Sequence, residues 1–458
     1  MSRALFEPVF VPDALREATG DTAWLGAMLE AEGALAVALA RAGLVPEAEA
    51  EEIRRCCEAD RFADRLDPEE LGREGRAAGN PVVPLVQALT EAVSGVSEEA
   101  ARHVHWGATS QDILDTAAML VARRSLDLVL ADLDGLAAAL AWLAREHRGT
   151  VMAGRTLMQQ ALPTTFGLKA AGWLVPVLEA RRSLLDLRRS GLAAQLGGAA
   201  GTLASLGNSG LPVLREFAQE LDLAEPPIPW HTARWRVAEL GNTLALCSGT
   251  LHKLAVDVIL LSQTEVGEVA EPSGGAGSPR GGSSTLPHKR NPILSTTTAA
   301  NAQRVAGLAA TLQGSMAAEH ERAAGRWHAE WEVLSDALAL TGGATAAMRE
   351  AMEGLEVHPE KMRANLDATG GIVLAENVTT LAAGHLGRAE AHELVEAACR
   401  RALERGTHLR EEVLAEPVLQ RILSPEEVEA ALDPEGYLGS AAGLVDRALE
   451  LYDTEVSS

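Results

Sequence analysis

Residues 281–291 read GGSSTLPHKRN, packing two glycines, two serines, a threonine, a proline and three basic groups into a segment that can build no core. A serine hydroxyl is a very weak acid in water. It can exchange a proton with carbon only where nearby donors and positive charge stabilise its alkoxide. Gly281 and Gly282 leave their backbone N–H groups unencumbered, and Lys289 brings charge. Ser283, Ser284, Lys289 and Asn291 therefore form a candidate set facing an anion. A flexible linker would explain the glycines and serines of the longer string SGGAGSPRGGSS. It does not explain LPHKRNP, where Pro287 and Pro292 stiffen the backbone around the basic cluster. A phosphate cradle is disfavoured, because GxxxxGK[ST] is absent and no strand pattern precedes the loop.

Two further segments break an otherwise helical pattern. In HVHWGATSQDILDTA (103–117), Thr109 and Ser110 stand where a helix can begin. They can be simple N-caps, or the helix N-terminus and two hydroxyls can hold a carboxylate. Gln111 joins this candidate set. His105 and His103 add polarity, although a lone histidine is more often a packed structural residue. In GRTLMQQALPTTFG (154–167), Arg155, Thr156, Gln159 and Gln160 are polar candidates, with a helix-face role as the alternative for the glutamines. Arg155, Arg234, Arg290 and Arg322 are candidates for further substrate charge, each with a surface or structural ion pair as the alternative. HExxH is absent and the histidines of HERAAGRWH have the wrong spacing for zinc, so neither a metal nor any other cofactor is expected.

The elements that must position these groups are helices. Leu126, Val129, Leu133, Leu136, Leu140 and Leu143 alternate spacings of three and four, as do Leu240, Leu244, Cys247, Leu251, Leu254, Val258 and Leu261. Val305, Leu308 and Leu312 form a third such stripe. Two-residue alternation is almost absent, and aromatics are only 3%, so an all-α chain with little or no sheet is expected. The punctuation predicts three helical domains: residues 1–112, a central bundle of long helices over 113–355 carrying the loop 273–292, and 356–458. Such long stripes of Leu and Ala call for partners, which suggests a homo-oligomeric bundle.

Bulk composition narrows the class of function. Lys plus Arg is 40 against 64 Asp plus Glu, a formal charge of -24, which argues against nucleic acid as partner. Cys56, Cys57, Cys247 and Cys399 show no CxxC spacing and read as reduced thiols of a cytoplasmic protein. The start MSRALFEPVF does not read as a signal peptide, and no uninterrupted apolar run is long enough to span a bilayer, so no membrane partner is expected.

GSSTLPHKRNP closely resembles the signature of the fumarase/aspartase superfamily, and TSQD and GRT…PTTFG are similar to its other two motif segments, in the same order. The resemblance covers essentially the whole chain. It implies an all-α fold of three domains and a homotetramer with a central helix bundle. It also implies active sites assembled from three subunits, with Ser283 moving the proton and Thr109, Ser110, Thr156, Lys289 and Asn291 holding carboxylates. HWGATSQD and PHKRNP are similar in style to adenylosuccinate lyases, but ALFEPVFVPD lacks their Arg-Tyr-Ser segment. The superfamily's C–N lyases and fumarases also carry a histidine after the Thr of GRT, paired with a glutamate beyond NP. Here those positions are Leu157 and Thr296.

That double absence has a chemical reading. A departing amine or hydroxide needs a general acid, whereas a carboxylate does not. The resemblance therefore implies the lactonising branch, in which one carboxylate of a tricarboxylate diene adds to its own double bond. PWHTAR, QTEVGEVAEPS, HERAAGRWHAEWE, LDATGGIVLAENV and LDPEGYLG are similar to that branch as well. The alternatives are an eliminating lyase acting on a substituted succinate and a non-enzymatic helical oligomer. Ser283→Ala is expected to leave folding and assembly intact while abolishing turnover. Circular dichroism and an activity assay check this, and an unfolded variant would make Ser283 structural.

Overall fold

The computed structural model describes residues 5–58, 66–274, 280–282, 285–286 and 289–456. The chain is dominated by helices. Those that matter for the site are α1 (Asp21–Arg41), α2 (Ser110–Glu146), α3 (Phe166–Asp186), α4 (Trp235–Leu261), α5 (Ile293–Gly314) and α6 (Trp331–Glu353). Contacts divide the chain into two discontinuous compact units: residues 1–134, 179–252 and 297–348, and residues 135–178, 253–296 and 349–458.

The apolar periodicity sets the helix faces. Leu126, Val129, Leu133, Leu136, Leu140 and Leu143 of α2 are all fully buried, as are Leu240, Leu244, Leu251 and Val258 of α4. The stripe at Val305 and Leu312 of α5 is buried too, with Leu308 half-buried. Each fully buried leucine or valine removes enough apolar surface to stabilise the fold by about 1.5–3 kcal/mol.

By length and composition alone α1 and α4 are long and apolar enough to cross a membrane, although charged residues such as Glu30 and Glu32 interrupt the apolar run of α1. In α1, 67% of the most apolar window is buried within the fold, as in a core helix. In α4 only 44% is, and Trp235, Leu246 and Val256 lie exposed along it.

The second unit holds two short antiparallel ribbons where almost no sheet was expected. β1 (Val151–Thr156) and β2 (Gln159–Thr165) form a hairpin, and β3 (Val269–Ala270) pairs with β4 (Glu356–Val357). The hairpin escapes sequence reading because its two-residue turn is Leu157–Met158, with φ of 50° and 66°. A tight turn with both central residues at positive φ ordinarily carries Asn-Gly. Here two apolar side chains occupy it, strained and exposed, Leu157 to 97%. The register slips between Ala153 and Arg155, so Gly154 sits at a bulge, where a Cβ would come within 2.8 Å of the Leu162 carbonyl oxygen. Val151 and Ala153 pack on Leu366, Val373 and Leu438, which anchors the hairpin in its unit.

The C-terminal helices of the same unit close over a core of Val378, Val395, Leu409, Val413, Leu419 and Val428. Ser424 starts one of them with a capping box, in which its hydroxyl accepts from the Glu427 N–H and the Glu427 carboxylate accepts from the Ser424 N–H.

Candidate active site

In the first unit the site is built around the start of α2. Thr109 and Ser110 are half-buried at this helix start, and the positive end of the helix dipole makes such a position favourable for an anion. Two carboxylates one turn apart hold it in place. Asp112 is fully buried and accepts from the backbone N–H groups of Thr109 (3.0 Å), Gly197 (2.9 Å) and Gly198 (2.9 Å), and from Nε2 of His231 (2.6 Å). Gly197 is obligatory here, since a Cβ would fall 2.7 Å from both His231 Cε1 and Pro229 Cβ.

Asp115 lies one turn further along. It takes a bidentate pair from Arg234 (2.7 and 3.0 Å) and accepts from Trp327 Nε1 (3.0 Å) and Gln111 Nε2 (3.1 Å). The other edge of Arg234 is held by Glu330, and its guanidinium lies 4.9 Å from the centre of the Trp230 ring. Burial opposes the arginine charge, yet Asp115 and Glu330 together raise its pKa above the ordinary value. Burial pushes Glu330 up, against the pull of Arg234.

The candidates Gln111, Arg234 and Arg322 thus meet in one network, and its partners account for two of them. Gln111 is fully buried, donates to Asp115 and to the His231 carbonyl (2.9 Å), and accepts from Arg322 (2.9 Å). Arg234 is 3% exposed with both edges on carboxylates, which is the structural alternative foreseen for it. Arg322 is half-buried and also donates to the Ala199 carbonyl (3.0 Å).

His105 stands beside this network at φ 59°, a strained backbone for a non-glycine residue. Its Nδ1 lies 2.6 Å from Oε1 of Glu32, which is 2% exposed and whose other oxygen has no hydrogen-bond partner. Burial disfavours the imidazolium, but the charges of Glu32 and Asp112 outweigh it and raise the His105 pKa.

The second unit carries the other candidates. Arg155 pairs bidentately with the fully buried Glu268 (2.9 and 2.7 Å), which also accepts from Asn365 Nδ2 (2.9 Å). Gln160 donates to the Asn365 carbonyl (3.1 Å), while its own Oε1 is buried with no hydrogen-bond partner. Thr156 is exposed at the base of the hairpin turn. On α3, Lys169 has its pKa lowered by burial, with Asp257 opposing. At the end of the glycine-rich loop, Lys289 is exposed, and Asn291 donates to the Gly281 carbonyl through both its N–H and Nδ2, each at 2.9 Å. Ser283 and Ser284 lie outside the described residues. Among the described residues no cluster of His, Cys, Asp or Glu could hold a metal ion.

Sequence reading missed Asp112, Asp115, Glu330, Glu32 and Glu268. The one available signal was charge inside an apolar stripe: Asp112 and Asp115 sit i, i+3 among Ile113, Leu114 and Ala117, where an unpaired carboxylate would be intolerable.

The profile described as Lyase matches residues 11–307, and that described as Adenylosuccinate lyase C-terminus matches residues 371–448. The 3-carboxy-cis,cis-muconate cycloisomerase of Bradyrhizobium diazoefficiens is 46% identical over 446 residues, covering 97% of each chain. The nitrosuccinate lyase of Streptomyces davaonensis is 49% identical over 453 residues, covering 97% of this chain and 94% of that one. The crystal structure of the 3-carboxy-cis,cis-muconate lactonizing enzyme from Pseudomonas putida superposes with a TM-score of 0.92 at 43% identity, covering 99% of this chain and all of the other.

Arg234→Met tests the assignment of this arginine to the buried network. It strips Asp115 and Glu330 of their counter-charge, and a loss of about 3–5 kcal/mol is expected. Urea denaturation should show a much earlier transition. An unchanged transition with a raised KM would return Arg234 to the substrate.

Proposed function

The chain belongs to the lyase family of the fumarase/aspartase superfamily, and we propose that it is a cycloisomerase converting 3-carboxy-cis,cis-muconate to its lactone in aromatic catabolism. The observation that carries this reading is the near full-length similarity to cycloisomerases, 39% to 46% identical, in a chain that offers no acid where a poor leaving group would need one. Leu157 cannot give a proton, and the Thr296 hydroxyl donates to the Pro292 carbonyl (2.7 Å).

In this reading one carboxylate of the substrate adds to the alkene, forming a C–O bond, and the adjacent carbon takes a proton from Ser283. Ring closure gains from proximity, since nucleophile and acceptor share one molecule. Lys289, Asn291 and the Thr109–Ser110 end of α2 stabilise the intermediate carboxylate, which carries the charge of an enediolate before protonation. Ser284, Thr156, His105 and the Arg155 side of the hairpin face the remaining carboxylates. Gln111, Gln160 and Arg322 are assigned to substrate binding as well. The upward shift that Glu32 and Asp112 impose on His105 favours its positive form beside an anionic substrate. The four cysteines, all unbridged, fit a reducing compartment such as the cytoplasm.

A second reading is favoured by one specific observation, the 49% identity to a nitrosuccinate lyase. Elimination of nitrite from nitrosuccinate gives fumarate with an anion that leaves without a general acid. It therefore suits the same absence at Leu157 and Thr296. Here Ser283 would take a proton from carbon rather than give one.

An ultraviolet assay with 3-carboxy-cis,cis-muconate, beside a nitrite assay with nitrosuccinate, separates the two. Loss of diene absorbance is expected with the wild type and not with Ser283→Ala. Nitrite release without diene loss would establish the lyase instead, and neither signal would overturn both.

We also propose a homotetramer. Supporting it are the exposed Trp235, Leu246 and Val256 of α4 and the strained, exposed Leu157–Met158 tip, apolar surface that the described residues leave uncovered. Multi-angle light scattering should give a particle of about four chain masses. A monomer at micromolar concentration would refute it.

A further inference from the structure

The glycine-rich loop has two described feet, and they are tied together. The first foot follows β3, which is paired with β4 through Val269–Val357 and Ala270–Glu356. Glu271, 7% exposed, reaches across to the start of α5. Its oxygens accept from the N–H of Leu294 (2.9 Å), the N–H of Ser295 (2.7 Å) and the hydroxyl of Ser295 (2.6 Å). A carboxylate on a helix N-terminus is favoured both by the free N–H groups and by the helix dipole.

The second foot is held by Arg290. Its guanidinium makes a bidentate pair with Glu356 (2.8 and 2.6 Å) and donates to the Glu271 carbonyl (2.9 Å). One side chain thus joins the end of the loop, the end of β3 and the start of β4. The Arg290 guanidinium holds the Glu356 carboxyl below its ordinary range, and Glu356 raises Arg290 in return. Lys289 and Asn291 flank Arg290, and Asn291 is further pinned to Gly281 by its two hydrogen bonds.

A guanidinium engaged in this way has its bidentate edge occupied and cannot present it to a substrate carboxylate. We infer that Arg290 is a positioning residue and that Glu356 is its partner: together they fix the backbone that carries Lys289 and Asn291. This rests on the reading above that those two residues serve the substrate. The mechanism is geometric, because a misplacement of about 1 Å at a charge-stabilising group can cost on the order of 100-fold in rate. Glu356 is half-exposed, so its loss does not threaten the core.

Glu356→Gln in the full-length protein is the test, with two readouts. The first is kcat and KM on whichever of the two substrates the wild type turns over. A drop in kcat of about 10-fold is expected, with KM changed less. The wild-type kcat should also fall with rising salt as the pair is screened, and that dependence should vanish in the variant. An unchanged kcat, with Arg290→Gln instead raising KM, would make Arg290 a substrate ligand and overturn the inference. The second readout needs no activity: hydrogen exchange of the peptide covering residues 289–296 should speed up in Glu356→Gln and nowhere else in the chain. Unchanged exchange there overturns the clamp, whereas a wild type inactive on both substrates overturns only the functional reading.

Discussion

A carboxylate removed from water must be paired or hydrogen-bonded, and the first unit is arranged around two that are. Asp112 and Asp115 lie in the opening turns of α2, buried among Ile113, Leu114 and Ala117. Asp112 gathers the glycine loop at 197–198 and His231, while Asp115 gathers Arg234, Trp327 and Gln111. Segments distant in sequence are thereby fixed to one helix end. Such pairs add little net stability over apolar packing, but breaking one is costly. Their effect is to specify geometry: the N-terminus of α2, with Thr109 and Ser110, can sit in one place only.

The second unit uses the same device in a more open setting. Glu268 orients Arg155, Glu271 caps α5, and Glu356 holds Arg290. Three acidic residues thus each immobilise a group next to a candidate substrate ligand. The acidity of the chain, -24 overall, is therefore not only a solvated surface. Some of it pairs with Arg155 and Arg290 and fixes their side chains. The hairpin tip runs the other way, with strain at Leu157 and Met158 and no local compensation.

Function within the superfamily turns on what is missing. With leucine at 157 and threonine at 296, neither of which can act as a general acid near neutral pH, chemistry that expels an amine or hydroxide loses its acid. What remains is chemistry in which an anion already leaves or attacks well. Both a lactonising addition and a nitrite elimination meet that condition, and both need an enolate-like charge stabilised beside a serine. The shared machinery explains how one scaffold has relatives of both kinds at similar identity.

The sequence by itself determined the helical class, the buried stripes of α2 and α4, the three polar segments and, through their resemblance, the superfamily. These are local or periodic properties, legible because a helix repeats every 3.6 residues and because motif residues lie close together in the chain. Only the tertiary structure decided which polar residues are support. Arg234 looked as available as Arg322 until Asp115 and Glu330 closed on it from 119 and 96 residues away. The hairpin was illegible because its turn uses leucine and methionine, a choice that local propensity disfavours and that only surrounding packing can impose. Pairing partners for buried charge are set by the fold, since Coulomb interaction depends on distance in space and not along the chain.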